Sequence, residues 1–359
     1  MKVFRNIALA VVVLTAVLVI GLCGIYKYML SPIGKGTETI EVEIPANSSR
    51  KTIAKILKEK KLIRDENFFL LYVKLFKISD MKAGYYDLSK SMSTEDLVEE
   101  LRKGSTKNPH EVQITFQEGI TMRQVATIIS SKTENSYDAV LEKANDPVYL
   151  KKLIEKYWFI EDSVLQEGIY YGLEGYLFPD TYSLTNKEVS IEYIFEKMLD
   201  GMARVLEPYK EDIEKSSYTI HQILSLASMV EKESATVTDR SKVASVFYNR
   251  LKTNMSLGSD VTTRYAFQVD DPKQRLTAVQ YNTPNPYNTR VTDGSMNGKL
   301  PIGPICTISK TSLEASVHPE ETNYLFFIAN IQTLETFFYE RSADFEAKKA
   351  ELSKVNGGF

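Results

Sequence analysis

Residues 220–235, IHQILSLASMVEKESA, decide the fold, because they combine a nearly unbroken apolar and small run with two carboxylates at its end. The spacing of the apolar residues predicts a buried helix over this stretch. Each helical residue turns by about 100°, so positions two apart point about 200° from each other. Glu231 and Glu233 therefore serve different faces of the helix and do not form a pair.

The two glutamates differ in what lies beneath them on the predicted helix. Glu233 continues the apolar stripe that includes Val230, whereas Glu231 lies over the smaller residues Ala227 and Ser228. Burial against an apolar surface favours the neutral form of a carboxyl and raises its pKa. Glu233 is therefore the candidate proton donor. A solvated pair at a helix end is the simpler alternative, and the pattern alone leaves it open.

The composition is that of a globular protein with room for two domains. The 359 residues are 43% hydrophobic and 25% charged, with a formal net charge of −3. Lys and Arg are spread along the chain, which argues against nucleic acid as a partner. Three histidines and two cysteines leave little material for a zinc site. Cys23 lies in an apolar N-terminal run, so no disulfide to Cys306 is expected.

The N-terminus predicts the compartment. Residues 7–25 carry no charge, and as a helix they span roughly 28 Å, which matches the hydrocarbon core of a bilayer. Lys2 and Arg5 precede this run, so the N-terminus should stay in the cytoplasm. No small-x-small cleavage site follows, which favours an uncleaved anchor over a signal peptide. We expect a single-pass cell-membrane protein with its tip and anchor at 1–30, a linker at 31–39, and the rest outside the cytoplasm.

Two similar patterns follow the linker. Residues 40–63 and 110–130 each read as an alternating strand followed by a Ser- or Thr-capped amphipathic helix. A further strand and helix lie between them and end at Gly104. The pattern alone favours a compact structural module over a glycan-binding one of the LysM type. We expect a LysM-like module at 40–110 and a second strand–helix subdomain with a connector at 111–165.

Residues 166–359 form the last predicted domain. Helices are expected over 191–208, 220–235 and 239–252, and a closing strand over 322–330. Between them, residues 253–310 show little periodicity, and loops of this length inside a compact domain are usually functional or disordered. The fold class is therefore α+β, with one N-terminal transmembrane helix, small strand–helix modules, and a mixed α+β domain with long loops.

Several common catalytic and binding motifs are absent from the sequence, which narrows the candidates for catalytic groups. The chain has no GxxxxGK[ST], GxSxG, HExxH, CxxC or GxGxxG motif. Phosphate cradles, nucleophile elbows and the common zinc sites are thereby excluded. Carboxylates are the remaining candidates for acid–base chemistry.

Several motifs, taken in order, resemble one family. LASMVEKESA and DRSKVASVFYNRL follow EGYLFPDTY and precede SLGSD, PNPYNT, LPIGPI and NYLFFIA. This series resembles the MltG-type (YceG-like) endolytic murein transglycosylases over nearly the whole chain, most specifically from 170 to 330. The resemblance implies a membrane-anchored enzyme that cleaves bonds between N-acetylmuramic acid and N-acetylglucosamine in nascent peptidoglycan. It leaves 1,6-anhydro ends.

The resemblance also implies site residues. Glu233, which is followed by Ser234, corresponds to the single general acid and base of the family. One carboxylate suffices when the nucleophile is an internal hydroxyl, whereas glycosidases that use water need two. The candidate substrate-binding residues of the cleft wall are Glu174, Asp180, Tyr182, Asp260, Tyr287, Asn288 and Thr289. Structural alternatives remain for three of the acids: a turn residue at 180, an arginine partner at 174 and a helix cap at 260.

Partners and alternatives complete the prediction. The resemblance implies peptidoglycan synthases (penicillin-binding proteins) as partners, with no metal or organic cofactor. A catalytically idle, membrane-anchored peptidoglycan-binding scaffold stays open, as does a true muramidase hydrolase in which Asp180 or Asp260 activates water. Four segments depart from the family pattern: VTTRY after Asp260, a longer stretch RVTDGSMNGK after YNT, CTIS at 306–309, and FFYERSADFEAK in place of a His-containing segment. These departures bear on the downstream cleft loops and on substrate preference.

Overall fold

The chain folds as a mixed α+β protein in two compact units. The computed structural model describes residues 2–105, 108–271 and 273–354. The units are Met1–Glu111 and Val112–Phe359. Within the described residues, the strands form three two-stranded antiparallel sheets, one in the first unit and two in the second.

The first unit begins with one long apolar helix and continues as a small strand–helix assembly. Its elements are α1 (Lys2–Leu30), β1 (Thr39–Ile44), α2 (Arg50–Glu59), α3 (Glu66–Leu75), β2 (Gly84–Ser89) and α4 (Thr94–Lys103). The segment Phe4–Leu30 of α1 is long and apolar enough to cross a membrane. This helix covers the predicted anchor.

The core of the first unit follows from the strand and helix periods. β1 pairs with β2 in the register Ile44↔Gly84, and alternate β1 residues, including Val42, point into the core. Ser49 caps α2, in agreement with the Ser- or Thr-capped helix predicted there, and Ser93 caps α4. Helix α3 was not predicted, because the apolar residues of ENFFLLYVKL run almost continuously and hide the helical period.

The second unit is mostly helical. Its elements up to the central helix are β3 (Val112–Thr115), α5 (Met122–Lys132), α6 (Tyr137–Ala144), α7 (Pro147–Lys156), β4 (Thr181–Leu184), α8 (Ile191–Leu206), α9 (Lys210–Lys215) and α10 (Ile220–Glu233). After it come α11 (Arg240–Lys252), α12 (Asp260–Ala266), α13 (Ala278–Asn282), α14 (Lys310–Val317), β5 (Phe326–Ala329), β6 (Thr336–Tyr339) and α15 (Ser342–Ser353). Short 3₁₀ turns lie at 162–165, 207–209 and 237–239.

The two strand–helix patterns of the sequence have different partners. β3 pairs with β4 in the register Val112↔Leu184, so its partner strand comes from beyond residue 165. The helix that follows β3 begins as predicted, because Thr121 caps α5 in a reciprocal capping box with Gln124. The second pattern therefore repeats the first in local structure and differs from it in strand pairing.

Helix α10 is the central element of the second unit. Thr219 and Gln222 form a capping box at its start, and all of its residues from His221 to Val230 are buried except Gln222. A helix that is buried nearly all round packs against neighbours on several sides, and α10 packs against α11, α12 and α14. It ends at Glu233, two residues earlier than predicted, because Ser234 adopts an extended conformation.

The long segment 253–310 is held by hydrogen bonds and close packing. It contains only the short helices α12 and α13 within its described residues. Gly175, at φ +77°, shows how closely its turns pack, since a Cβ there would lie 2.3 Å from Cβ of Pro304. The predicted strand over 322–330 is regular only at Phe326–Ala329.

Candidate active site

Glu233 lies at the C-terminal end of α10, where this helix meets the start of α12. Its side chain is partly buried, and Oε1 accepts a hydrogen bond of 2.6 Å from the Ser259 hydroxyl. Ser259 is the residue that precedes α12, and it is 4% exposed. The contact gives the carboxyl one fixed oxygen and leaves Oε2 for another partner.

The surroundings of Glu233 favour its protonated form. Burial raises the pKa of Glu233 above the ordinary value of 4.5, and the charge of Asp260 acts in the same direction. The Ser259 hydrogen bond and the guanidinium groups of Arg250 and Arg290 oppose this rise. A carboxyl with a raised pKa next to two fixed cations can donate a proton and then remain stable as an anion.

Ser259 is itself held by the segment Tyr287-Asn288-Thr289. The Thr289 hydroxyl accepts the Ser259 N–H at 3.1 Å and pairs with the Thr262 hydroxyl at 2.8 Å. The Thr289 carbonyl accepts from the N–H of Gly258 at 3.1 Å. The buried Thr289 thus holds the backbone amides of Gly258 and Ser259 in place. This arrangement directs the Ser259 hydroxyl toward Glu233.

The other two residues of this segment are also fully buried. Tyr287 packs its ring against Tyr170 and Tyr265, with centroid distances of 4.9 and 4.8 Å. The Asn288 amide donates to three backbone carbonyls between residues 280 and 283 and accepts from the Thr263 hydroxyl. Burial places both side chains behind the surface that carries Glu233.

Asp260 opens α12 and is half-exposed. Its carboxylate lies 2.7 Å from Arg290 and accepts from Tyr281 at 3.4 Å. The Arg290 guanidinium also lies over the Tyr281 ring, 4.9 Å from its centroid. Asp260 is not the cap of α12, because the N-cap position belongs to Ser259. These three residues form a charged cluster beside Glu233.

Glu174 is 1% exposed, and among the residues that the structure describes its hydrogen-bond donors are Met122 and Tyr265 and not an arginine. Its carboxyl accepts from the Met122 N–H at 2.9 and 3.0 Å and from the Tyr265 hydroxyl at 2.8 Å. Burial raises the pKa of Glu174 to about 7, against these two hydrogen bonds and the charge of Arg123. Glu174 therefore ties the start of α5 to α12.

Asp180 and Tyr182 belong to β4 and the turn before it. The Asp180 carboxylate accepts from the Thr181 N–H at 2.7 Å, and the backbone carbonyl of Asp180 accepts from Phe116 at 3.0 Å. Tyr182 is 8% exposed, and its hydroxyl donates to the Phe178 carbonyl at 2.8 Å. The described hydrogen bonds of both residues stay within the β3–β4 region.

Glu231 faces a different set of partners, as the helical spacing predicted. It forms a 3.0 Å ion pair with Arg240, and the two side chains are 6% and 12% exposed. Its other oxygen accepts from the N–H and the hydroxyl of Ser309, at 3.0 and 2.5 Å. Glu231 thus connects α10 to the N-termini of α11 and α14, which supports a structural role.

Three residues of this site were missed in the sequence: Ser259, Arg250 and Arg290. Ser259 stands next to Asp260 in the motif SLGSD, and no local pattern marks its hydroxyl as a partner of a distant carboxyl. Arg250 donates to the carbonyls of Leu325 and Leu257, each at 2.6 Å, and so resembles a structural arginine. Only the folded chain brings these side chains to Glu233.

The described residues offer a carboxyl-centred site without a metal cluster. In residues 2–105, 108–271 and 273–354, no three His, Cys, Asp or Glu side chains gather in a way that could hold a metal ion. The arrangement supplies one carboxyl with a raised pKa, two cations and a set of tyrosines and backbone dipoles. Such a set can protonate a leaving oxygen and stabilise the charge that develops.

The described structure is an α+β protein whose candidate active site is built around a carboxyl group. Comparison with known proteins places the chain in one family. The chain belongs to the YceG-like family, whose model matches residues 42–351. An endolytic murein transglycosylase of Bacillus subtilis is 34% identical over 342 residues, which cover 94% of this chain and 92% of the relative. One of Streptococcus pneumoniae is 34% identical over 350 residues, 92% of this chain and 62% of the relative.

A solved structure supports the same family. The crystal structure of a YceG-like protein of Listeria monocytogenes superposes with a TM-score of 0.61 and 34% sequence identity. The match covers 87% of this chain and 99% of the Listeria chain. The mixed α+β fold is therefore shared with an experimental structure.

Proposed function

We propose that this protein is a membrane-anchored endolytic murein transglycosylase in which Glu233 is the single acid and base. Its substrate is the glycan strand of peptidoglycan, cleaved between N-acetylmuramic acid and N-acetylglucosamine. The observation that carries the mechanism is the environment of Glu233, a partly buried carboxyl with a raised pKa and one oxygen fixed by Ser259. The family membership and the activity named for the relatives support the reaction class.

The reaction needs one proton carrier at a fixed position. Glu233 donates its proton to the glycosidic oxygen as the bond to the anomeric carbon of the muramic acid breaks. The resulting carboxylate then takes the proton of the C6 hydroxyl as that oxygen attacks the anomeric carbon. The products are a 1,6-anhydro end and a new N-acetylglucosamine end, and Glu233 is protonated again without consumption of water.

The neighbouring residues have supporting roles in this proposal. Arg250 and Arg290 stabilise the Glu233 anion that exists between the two proton transfers. Asp260 and Asp180 line the cleft. The buried side chains of Glu174, Tyr182, Tyr287, Asn288 and Thr289 fix the cleft walls from behind. Asp260 is a poor base for water, because Arg290 at 2.7 Å and Tyr281 at 3.4 Å already engage its carboxylate.

The decisive experiment is mass analysis of products from purified glycan strands. The wild type should give anhydro-ended fragments, and Glu233→Gln should reduce their rate by about 10² to 10⁴ while strand binding persists. Glu214→Gln, a change in a 60% exposed side chain, is the matched control and should keep full activity. Reducing ends one water heavier would establish a hydrolase, and binding without cleavage by the wild type would establish a scaffold.

The membrane topology is part of the proposal. We infer that α1 spans the bilayer with Lys2 and Arg5 on the cytoplasmic side, because cytoplasmic flanks are enriched in Lys and Arg. The apolar length of Phe4–Leu30 supports this orientation only in combination with those flanks. Protease added to cells stripped of their wall should digest residues beyond 31–39 and leave a tag on the N-terminus intact.

The domain roles are proposed in the same way. We assign a LysM-like module to residues 40–110, supported by the two helices α2 and α3 that lie between the antiparallel strands β1 and β2 along the chain. Residues 111–165 are assigned to a connecting subdomain and 166–359 to catalysis. Peptidoglycan synthases are the proposed partners, because an active site tethered by the short linker 31–39 stays near the membrane where new strands emerge.

A further inference from the structure

A basic cavity lies beside Glu233 and is not used by the proposed mechanism. It has a volume of about 320 Å³ and opens between the start of α5, the last turn of α10 and one side of α12. This volume is at the lower end of those that bind small molecules. It therefore suits a short segment of a ligand better than a whole disaccharide.

The cavity and Glu233 are built on the same two helices. Lys232 lines the cavity and Glu233 is the next residue of α10, so their Cα atoms are about 3.8 Å apart. On α12, Val261 and Arg264 line the cavity, whereas Ser259 at the start of that helix contacts Glu233. The cavity lining and the Glu233 carboxyl are therefore held by adjoining positions of α10 and α12.

The lining combines positive charge with an apolar wall. Arg123, Lys232 and Arg264 line the cavity together with Asp270, whose carboxylate lies 2.7 Å from Arg123. Arg264 also donates to the carbonyls of Asp271 and Gln274, at 3.0 and 2.9 Å. The Lys232 ammonium donates to the Gly119 carbonyl at 3.1 Å, and two of its three N–H groups can serve a ligand. The side chains of Val261, Val269 and Ile305 supply the apolar part of the lining.

We propose that this cavity binds a carboxylate-bearing segment of the stem peptide of the substrate strand, so that the enzyme prefers glycan with free, acidic stems. The proposal rests on the proposed function. N-acetylated sugars carry no charge, and the anionic groups next to each muramic acid are the carboxylates of its peptide. The alanine methyl groups of such a peptide match the apolar wall, and its carboxylate matches the Lys232 ammonium.

A binding measurement tests the carboxylate directly. The probe is a stem pentapeptide with a free C-terminal carboxylate, titrated into the full-length protein in detergent micelles, with the same peptide as its C-terminal amide for comparison. We expect the acid to bind about tenfold more tightly than the amide. Equal affinity, or displacement of the acid by inorganic pyrophosphate at lower concentration than the acid itself, would overturn the carboxylate assignment.

The second test compares turnover of two substrates. One is a glycan strand with intact stem peptides, and the other is a strand from which an amidase has removed the peptides. The wild type should show a ratio of kcat/KM of about ten in favour of intact stems, and Lys232→Met should bring this ratio to about one. Lys232→Arg should restore it, because the charge returns. Lys215→Met, a change in a 72% exposed side chain of α9, should keep the wild-type ratio.

The two tests separate this inference from the proposed function. If no anhydro products form from either type of strand, the proposed function fails. If anhydro products form from both types at equal rates and Lys232→Met leaves the ratio unchanged, only the peptide-binding inference fails. A general loss of folding in Lys232→Met would lower both rates together, and the charge-restoring variant then decides between folding and binding.

Discussion

The Ser259 hydroxyl donates a 2.6 Å hydrogen bond to Oε1 of Glu233 and so joins the start of α12 to the end of α10. The bond stabilises the ionised carboxyl, whereas burial stabilises the neutral one. The pKa of Glu233 therefore depends on the balance between the Ser259 hydrogen bond, which lowers it, and burial, which raises it. This balance can be altered without removal of the carboxyl.

Ser259→Ala should raise the pKa of Glu233, because the hydrogen bond to its anion is lost. Activity requires the protonated acid, so the alkaline limb of kcat/KM should move upward by about one pH unit. The rate at the optimum should fall about tenfold, because the carboxyl is less well oriented. Ser259→Thr keeps a hydroxyl and should restore the limb. An unchanged pH profile in Ser259→Ala would mean that the contact has no influence on the proton.

Thr289→Val should affect stability and activity without a direct effect on the Glu233 proton. The nearly isosteric change leaves the buried N–H of Ser259 without its partner and removes one of the hydrogen bonds of the Thr262 hydroxyl. We expect a loss of about 1–3 kcal/mol in the free energy of unfolding. Urea denaturation measures it, with Thr253→Val on the exposed end of α11 as the control. A loss no larger than that of the control would contradict the clamp role of Thr289.

Glu231→Gln should destabilise the fold and leave proton transfer intact. The change removes one charge from a buried ion pair with Arg240 and leaves the guanidinium poorly compensated. We expect a cost of about 3 kcal/mol. Glu211→Gln, which breaks an exposed pair, should cost less than about 1 kcal/mol. If Glu231→Gln were fully folded and inactive while Glu233→Gln remained active, the assignment of the two glutamates would be reversed.

Glu174→Gln should make stability less dependent on pH. The folded chain holds the Glu174 proton up to a pKa of about 7, whereas the unfolded chain releases it near 4.5. This contribution to stability is complete below pH 4.5 and is lost as the pH rises through 7. The loss amounts to roughly 3 kcal/mol at about 1.4 kcal/mol per pH unit.

Thermal unfolding of the wild type and Glu174→Gln at pH 5 and pH 8 measures this effect. The wild type should lose stability relative to the variant between these two values. His221 acts in the opposite direction in both proteins, because burial lowers its pKa in the fold and the unfolded chain therefore binds its proton more readily. Comparison of the two proteins cancels this contribution. Parallel curves over the whole range would contradict a raised pKa for Glu174.

The sequence by itself determined the local elements and the principal carboxyl. The caps at Ser49, Ser93 and Thr121 and the apolar period of α10 were readable, because capping and helical spacing depend on residues a few positions apart. The same spacing separated Glu231 from Glu233. The apolar stripe then indicated Glu233 as the carboxyl set against apolar residues, and burial raises its pKa, whereas the buried Glu231 is compensated by Arg240.

Only the tertiary structure decided which side chains surround that carboxyl. Ser259 lies 26 positions from Glu233, and Thr289 lies a further 30 positions along the chain. Such contacts depend on how irregular loops pack, and no short-range period encodes that packing. Burial also decided that Tyr287 and Asn288 face the interior, although their residue types are common in binding clefts. The sequence thus indicated Glu233 as the proposed acid, and the packing of the loops against α10 and α12 set the surroundings that shift its pKa and hold its side chain.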